Sequence, residues 1–176
     1  MQQSTTDDTR TLVVVRHAKA ESGGQSDHER PLAGSGHADA AEAGRWLAEQ
    51  RVVADAALVS DARRTQETWV EIAGAAGWGI EPELSDALYA AGPDSALDLV
   101  RETAPDARTL VVVGHNPTMA YLAELIDDGE GDDDAINDLA SRGFPTASLV
   151  VFRVAVPWSD LGPGSGEVLS FHVGEA

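Results

Sequence analysis

The chain has 176 residues and no cysteine, which excludes disulfide bonds, thiolate metal sites and a cysteine nucleophile. Its 30 acidic residues outnumber its 12 basic ones, and the formal net charge of -18 argues against binding to nucleic acid or to anionic lipid. No apolar run approaches the roughly 20 residues of a membrane-spanning helix and no secretory signal is recognisable, so we expect a soluble, cytoplasmic protein.

The predicted elements start after a polar, acidic stretch. We expect residues 1–10 to be a disordered leader and residues 11–176 to form a single domain. The run TLVVV at 11–15 is apolar and β-branched, which is typical of a buried strand. The spacing of apolar residues and the turn residues then predict a loop at 23–31, a helix at 37–50, a strand at 56–59 that ends at Ser60, and a helix at 63–76 that ends before Gly77.

The second half of the chain follows the same alternation. We predict irregular structure at 82–89, a helix at 93–103 that begins with Pro93, and a second TLVVV strand at 109–113. A helix with Met119 and Ile126 on its apolar face comes next. The acidic stretch 127–138 does not fit the spacing of an EF-hand, which favours a solvated loop. Strands are predicted at 147–152 and 168–173, joined by a Gly/Pro-rich connection at 157–166.

This order of elements predicts the fold class. Strands that alternate with helices indicate a three-layer α/β/α sandwich with a mostly parallel central sheet. Ligands of such sheets bind beyond the carboxyl ends of the strands. Arg16, His17, Ser60 and His115 all come just after predicted strands. We therefore expect these residues to share one pocket.

The residues at these strand ends suit the transfer of a phosphoryl group without a metal. Fixed cations must hold the phosphoryl oxygens, and a neutral imidazole can act as the nucleophile. Arg63 and Arg64 stand in the first turn of a helix, where cations oppose the helix dipole, which hints at a functional purpose. Each segment taken alone also fits a structural interpretation, as a solvated loop, a helix cap or a pair of solvated arginines.

Taken together, the segments resemble the histidine phosphatase superfamily, and this resemblance implies a phosphoglycerate mutase-like fold. It implies that His17 becomes transiently phosphorylated. It also implies that Arg16, Arg64 and His115 bind the phosphoryl oxygens, and that no metal or cofactor takes part. The family's RH motif, its S-x-x-x-R-x-x-x-T segment and its later GH motif correspond here to Arg16-His17, to Ser60, Arg64 and Thr68, and to Gly114-His115.

Within that superfamily, the chain is similar to the small SixA-type phosphohistidine phosphatases from Leu12 to about Phe171. This similarity implies that Arg30 and Asn116 contact the substrate, although Arg30 equally fits a surface arginine before a proline turn. The common RHG triplet is RHA here, so Ala18 is expected to adopt a backbone that the family often gives to glycine. The similarity depends on RHAKAE at 16–21, DHERPLAGSG at 27–36 and VGHNPTM at 113–119.

The general acid is the least defined part of this interpretation. Glu81, Glu83 and Asp86 lie in the stretch where many members carry an acid, but none stands in a matching motif. A phosphoramidate loses imidazole more easily than an ester loses alkoxide, which favours protein phosphohistidine as substrate. The alternatives are a phosphatase for sugar or lipid-derived phosphoesters and a module that binds phosphorylated partners without hydrolysis. The oligomeric state is left open.

Overall fold

The computed structural model describes residues 8–176. Residues 1–7 of the predicted leader lie outside the described residues, and Arg10 is the first residue of a strand rather than the end of a leader. None of the helices within residues 8–176 has the length and apolar character needed to cross a membrane.

Strands and helices alternate along most of the chain. The strands are β1 (Arg10–Arg16), β2 (Ala56–Ser60), β3 (Glu83–Ser85), β4 (Thr109–Gly114), β5 (Ser148–Val154) and β6 (Gly166–Val173). The helices are α1 (Gly34–Glu49), α2 (Arg63–Ala76), α3 (Asp86–Ala90), α4 (Pro93–Thr103), α5 (Thr118–Ile126) and α6 (Asp133–Arg142), and a 3-10 turn covers Trp158–Asp160.

One sheet forms the middle of the molecule. In the described part of the chain it has six strands, in the order β3-β2-β4-β1-β5-β6. The first four strands are parallel to one another, whereas β5 pairs antiparallel with both β1 and β6. Arg16 pairs with Gly114, so β1 and β4 end side by side. The predicted mostly parallel sheet is confirmed, and His17 and His115 leave it at the same edge.

Both faces of the sheet are covered. Leu12 and Val14 of β1 join one apolar cluster, which includes residues of α4 and α5. Val13 and Val15 point to the opposite face and join a second cluster with residues of α1 and α2. Successive side chains of a strand alternate between faces, so an unbroken apolar run is buried only where both faces are packed. The three-layer arrangement is therefore confirmed.

Two regions differ from the sequence prediction. Residues 82–89 are not irregular, because they contain β3 and most of α3, where Ser85 accepts a hydrogen bond from the amide of Leu88. The acidic stretch 127–138 is not entirely a loop, because α6 begins at Asp133. Asp132 caps that helix by accepting from the amide of Ala135. Carboxylates in a first helical turn favour the helix dipole, so the charges that suggested a loop stabilise a helix start.

Candidate active site

The predicted site residues meet at the carboxyl edge of β1, β2 and β4. The backbone amide of His17 donates to the carbonyl of Gly114 at 3.0 Å. The rings of His17 and His115 lie 5.3 Å apart between centroids. Ser60, the last residue of β2, has its hydroxyl oxygen 2.8 Å from Nε2 of His115. Three segments that are distant in sequence thus converge on one point.

His17 is held in a single tautomer. Its Nδ1 lies 2.7 Å from the carbonyl oxygen of Ala18, which only accepts hydrogen bonds, so Nδ1 carries the proton and Nε2 keeps its lone pair. Burial lowers the pKa of His17 to about 4, and the charges of Arg64 and Arg16 act in the same direction. His17 is consequently neutral at pH 7, with a nucleophilic nitrogen at Nε2.

His115 is neutral for similar reasons. Burial lowers the pKa of its imidazole to about 3, with the charge of Arg64 as the next contribution. Its Nδ1 is buried and has no hydrogen-bond partner. When the Ser60 hydroxyl donates to Nε2, the proton of His115 resides on Nδ1. His115 then offers a free donor to an anion.

Two arginines, the half-buried Arg16 and the buried Arg64, complete the floor of the site, which we define as Arg16, His17, Arg64 and His115. The Arg64 side chain is only 8% exposed, and burial lowers the pKa of Arg16. Both Nε atoms are buried without a partner. With Nδ1 of His115, they account for three of the four such side-chain nitrogens in the described residues. Unpaired buried donors are costly, and the oxygens of a phosphoryl group would pair with them.

Thr68 connects Arg64 on α2 with Ala18, the residue after His17, through hydrogen bonds. Its hydroxyl oxygen accepts from the amide of Ala18 at 3.0 Å and its proton goes to the carbonyl of Arg64 at 2.7 Å. Ala18 does not need the conformational freedom of glycine. In the part of the chain that the structure describes, the non-glycine residues with positive φ are Arg51 and Ala147. Ala18 thus takes the place of the family's glycine without a positive φ.

The exposed side of the site carries a carboxylate that the sequence did not single out. Asp27 accepts through Oδ2 from Nη2 of Arg64 at 3.0 Å and from the Tyr89 hydroxyl at 2.6 Å. Its Oδ1 accepts from Nη1 of Arg30 at 3.0 Å, and its backbone carbonyl accepts from Nη1 of Arg64 at 2.7 Å. We call Asp27, Arg30 and Tyr89 the rim of the site.

The rim contacts the floor through the aromatic ring of Tyr89. The Tyr89 ring contacts His115 edge to face, with centroids 5.4 Å apart, and the ring of His28 contacts Tyr89 in the same way at 5.0 Å. The hydrogen bonds from Tyr89 and Arg30 hold the pKa of Asp27 well below its usual range. Asp27 is thus an ionised acceptor and not a proton donor.

Of the two predicted substrate contacts, Arg30 is at the rim and its charge contributes to the low pKa of His17. Asn116 is engaged within the protein. Its amide nitrogen donates to the carbonyl of Phe144 at 2.7 Å, and its oxygen accepts from the amide of Ala120 at 3.2 Å. Arg16 donates to the same Phe144 carbonyl at 3.0 Å. Contact of Asn116 with substrate stays a prediction.

The three candidate acids are all exposed. Glu81 shares a groove with Trp69 and Trp78, and the indole of Trp78 donates to Val52 before β2, at the opposite edge of the sheet. Asp86 directly follows Ser85, which pairs with Ser60, so Asp86 is closer to the site than Glu81 is.

Across residues 8–176, no group of three potential ligand side chains is arranged to hold a metal ion.

The chain is similar to proteins of one family. Residues 12–90 match the histidine phosphatase superfamily (branch 1). An uncharacterized protein of Mycobacterium tuberculosis is 36% identical over 160 residues, which cover 90% of this chain and 99% of that protein.

Two solved structures extend the similarity. One, from Nakamurella multipartitia, is named as a candidate phosphohistidine phosphatase SixA. It has a TM-score of 0.82 and 32% identity, and the match covers 96% of this chain and 98% of that chain. The other, from Agrobacterium tumefaciens, is named in the same way. It has a TM-score of 0.77 and 28% identity, and the match covers 93% and 97% of the two chains.

Proposed function

This chain belongs to the histidine phosphatase superfamily and is a phosphatase, and on that premise we propose that it removes the phosphoryl group from phosphohistidine on a protein. In this proposal His17 is the nucleophile and becomes transiently phosphorylated. The predicted phosphoglycerate mutase-like fold is confirmed by the same similarities.

The observation that carries the proposal is the contact of His17 Nδ1 with the Ala18 carbonyl at 2.7 Å. It leaves the Nε2 lone pair free to form a bond to phosphorus while the bond to the leaving group breaks on the opposite side. Arg16, Arg64 and His115 supply donors to the three remaining phosphoryl oxygens. Water then attacks phospho-His17, which releases phosphate and restores the neutral imidazole.

The choice of substrate has separate support. The two solved structures described above, at 32% and 28% identity, are both named as candidate SixA phosphohistidine phosphatases. A cleft of about 430 Å³ lies beside the site and is lined by His28, Asp61 and Arg63 among other residues, which gives room for groups beyond the phosphoryl. An imidazole leaving group also departs without a general acid at the bond that breaks, in agreement with the ionised state of Asp27.

A labelling experiment tests the nucleophile. The protein is mixed with p-nitrophenyl phosphate or a phosphohistidine peptide, quenched within milliseconds to seconds and analysed by mass spectrometry. We expect a phosphoryl group on His17, retained in the presence of EDTA. His17→Ala should abolish the label and reduce turnover by roughly 10³-fold or more. His172→Gln is the matched control, because His172 pairs with Glu42 outside the floor, the rim and the cleft. Wild-type turnover by H17A would sink the proposal.

A substrate panel tests the substrate class. Turnover of a phosphohistidine peptide is compared with that of sugar and glycerol phosphates at equal concentration. We expect the peptide to have the highest kcat/KM. A preference for a small ester would instead support a small-molecule phosphatase, and a phosphopeptide that is bound tightly but left intact for hours would support a binding module.

A further inference from the structure

The carboxylate of Asp27 competes with the phosphoryl group, because it accepts a hydrogen bond from Arg64, which the phosphoryl oxygens also need. Both terminal nitrogens of Arg64 donate to Asp27, one to its backbone carbonyl and one to Oδ2. A dianionic phosphoryl group that approaches Arg64 meets this negative charge. A carboxylate in such a position lowers affinity for any phosphate, so its benefit must lie elsewhere.

Three hydrogen bonds to side chains fix the carboxylate of Asp27, from Arg30, Arg64 and Tyr89. The side chain nevertheless remains 54% exposed. Each carboxylate oxygen offers about two acceptor positions. Oδ1 therefore keeps capacity for one further donor on the exposed side.

The contacts between aromatic rings show that the free acceptor position of Asp27 lies outside the floor. They lead from His17 to His115 and from His115 to Tyr89, whose hydroxyl binds Asp27. In an in-line displacement at Nε2 of His17, the leaving group departs on the side away from the nucleophile. The outer side of the site is the rim, so the leaving group moves towards Asp27.

Resting on the proposed function, we propose that Asp27 is a specificity residue whose carboxylate accepts a hydrogen bond from the distal ring nitrogen of the departing imidazole. This nitrogen takes a proton from solvent before the reaction. Nε2 of His17 then bonds to phosphorus, the phosphorus–nitrogen bond breaks, and its electron pair returns to the ring. The ring leaves as neutral imidazole and keeps the proton on its distal nitrogen. No acid is required at the breaking bond.

The same carboxylate acts against esters. An ester leaves as an oxygen anion, which has no proton to donate to Asp27 and needs one from an acid. Asp27 is ionised and cannot supply it. Its charge also repels the leaving oxygen. Asp27 therefore favours phosphoramidates of imidazole over phosphate esters.

The test compares Asp27→Asn on N-phosphoimidazole and on p-nitrophenyl phosphate. Loss of a charge-assisted hydrogen bond should lower kcat on N-phosphoimidazole by roughly tenfold or more. On p-nitrophenyl phosphate, kcat/KM should rise, because the competing charge near Arg64 is removed. Asp94→Asn is the matched control, an exposed carboxylate in the first turn of α4, outside the floor and the rim, that should change neither value by more than about twofold. Asp27→Glu should restore part of the N-phosphoimidazole activity.

The outcomes separate the inference from the proposed function. Parallel losses on both substrates in D27N would show that Asp27 only positions Arg64, and losses confined to p-nitrophenyl phosphate would show that Asp27 assists ester cleavage; either overturns the inference. A wild-type protein that is labelled on His17 by p-nitrophenyl phosphate but fails on N-phosphoimidazole and phosphohistidine would overturn the proposed substrate as well. Circular dichroism of D27N and D27E checks that both fold.

Discussion

The floor and the rim of the site differ in what holds them in place. The floor follows from the ends of three neighbouring strands, with His17 fixed by a backbone carbonyl and Arg64 almost fully buried. The rim consists of one exposed and two half-buried side chains that are held by an ion pair and hydrogen bonds, and Asp27 connects Arg30 to Tyr89. Arg64 belongs to the floor but contacts the rim through Asp27.

The floor and the rim therefore have different roles, the floor in binding the phosphoryl group and the rim in selecting the leaving group. Burial keeps both floor histidines neutral and leaves buried donors unpaired, a state suited to any phosphoryl group. Hydrogen bonds keep the rim carboxylate ionised in a place that the leaving group must pass. Changes to the floor should therefore affect all substrates strongly, and changes to the rim should affect substrates selectively and less.

The largest effect in this comparison is expected from Arg64→Lys. Lysine keeps the charge but cannot reproduce the planar fork that reaches Asp27 and the phosphoryl oxygens together. We expect kcat/KM to fall by roughly 10²- to 10³-fold on both N-phosphoimidazole and p-nitrophenyl phosphate. Arg142→Lys is the control, since Arg142 is 41% exposed and pairs with Glu175 outside the floor, the rim and the cleft. Similar losses in R142K and R64K would contradict a special role for the buried residue.

A difference in proton affinity of more than a hundredfold is expected between His17 and His28. Burial lowers the pKa of His17 to about 4, whereas the hydrogen bond with Asp61 raises the pKa of His28 above its ordinary value. Near pH 5.5, His28 should be protonated and His17 neutral. NMR titration of histidine ring protons, with assignment by His17→Ala and His28→Gln, measures both values. Coincident midpoints near 6.5 would contradict the desolvated floor.

The same shift has a consequence for stability. The folded-state pKa of His17 is below that of an unfolded histidine, about 6.5, so the unfolded chain binds the proton first. The contribution of His17 to stability is complete above pH 6.5 and is lost as the pH falls towards 4.

The smallest effect is expected from Arg30→Gln. This change removes one of the three side-chain donors to Asp27 and a partly exposed charge. Exposed ion pairs contribute about 0.2–1 kcal/mol, so KM for N-phosphoimidazole should change by no more than about fivefold, with little change in kcat. Arg153→Gln, which breaks an exposed pair with Glu167 between β5 and β6, serves as the control. A loss in R30Q as large as that of R64K would place Arg30 in the floor instead.

Local patterns predicted much of the fold. The bounds of α2 and α4 agree with the prediction, because Gly77 takes the left-handed conformation with φ of 78° after α2 and Pro93 begins α4. The convergence of the floor residues also followed from strand ends. In contrast, α6 was missed, since none of its residues is fully buried. Its apolar face consists of three partly buried residues, Ala135, Ile136 and Leu139, which stand among acidic ones.

The rim could not be predicted in the same way. The hydrogen bond from Tyr89 to Asp27 spans 62 residues of sequence and joins a loop to a short helix. Neither residue stands in a periodic pattern or directly after a strand. Such a contact depends on the completed packing of α3 beside β2, which local spacing does not encode.

The carbonyl of Phe144 receives hydrogen bonds from both Arg16 and Asn116. Because the acceptor is a main-chain atom, a change in the side chain at this position leaves it in place. The Phe144 ring itself is 7% exposed and packs 6.4 Å from the ring of Phe171. A fluorinated phenylalanine at position 144 is therefore a spectroscopic reporter attached directly to the anchor of an active-site guanidinium, and it can record anion occupancy without altering any reacting group.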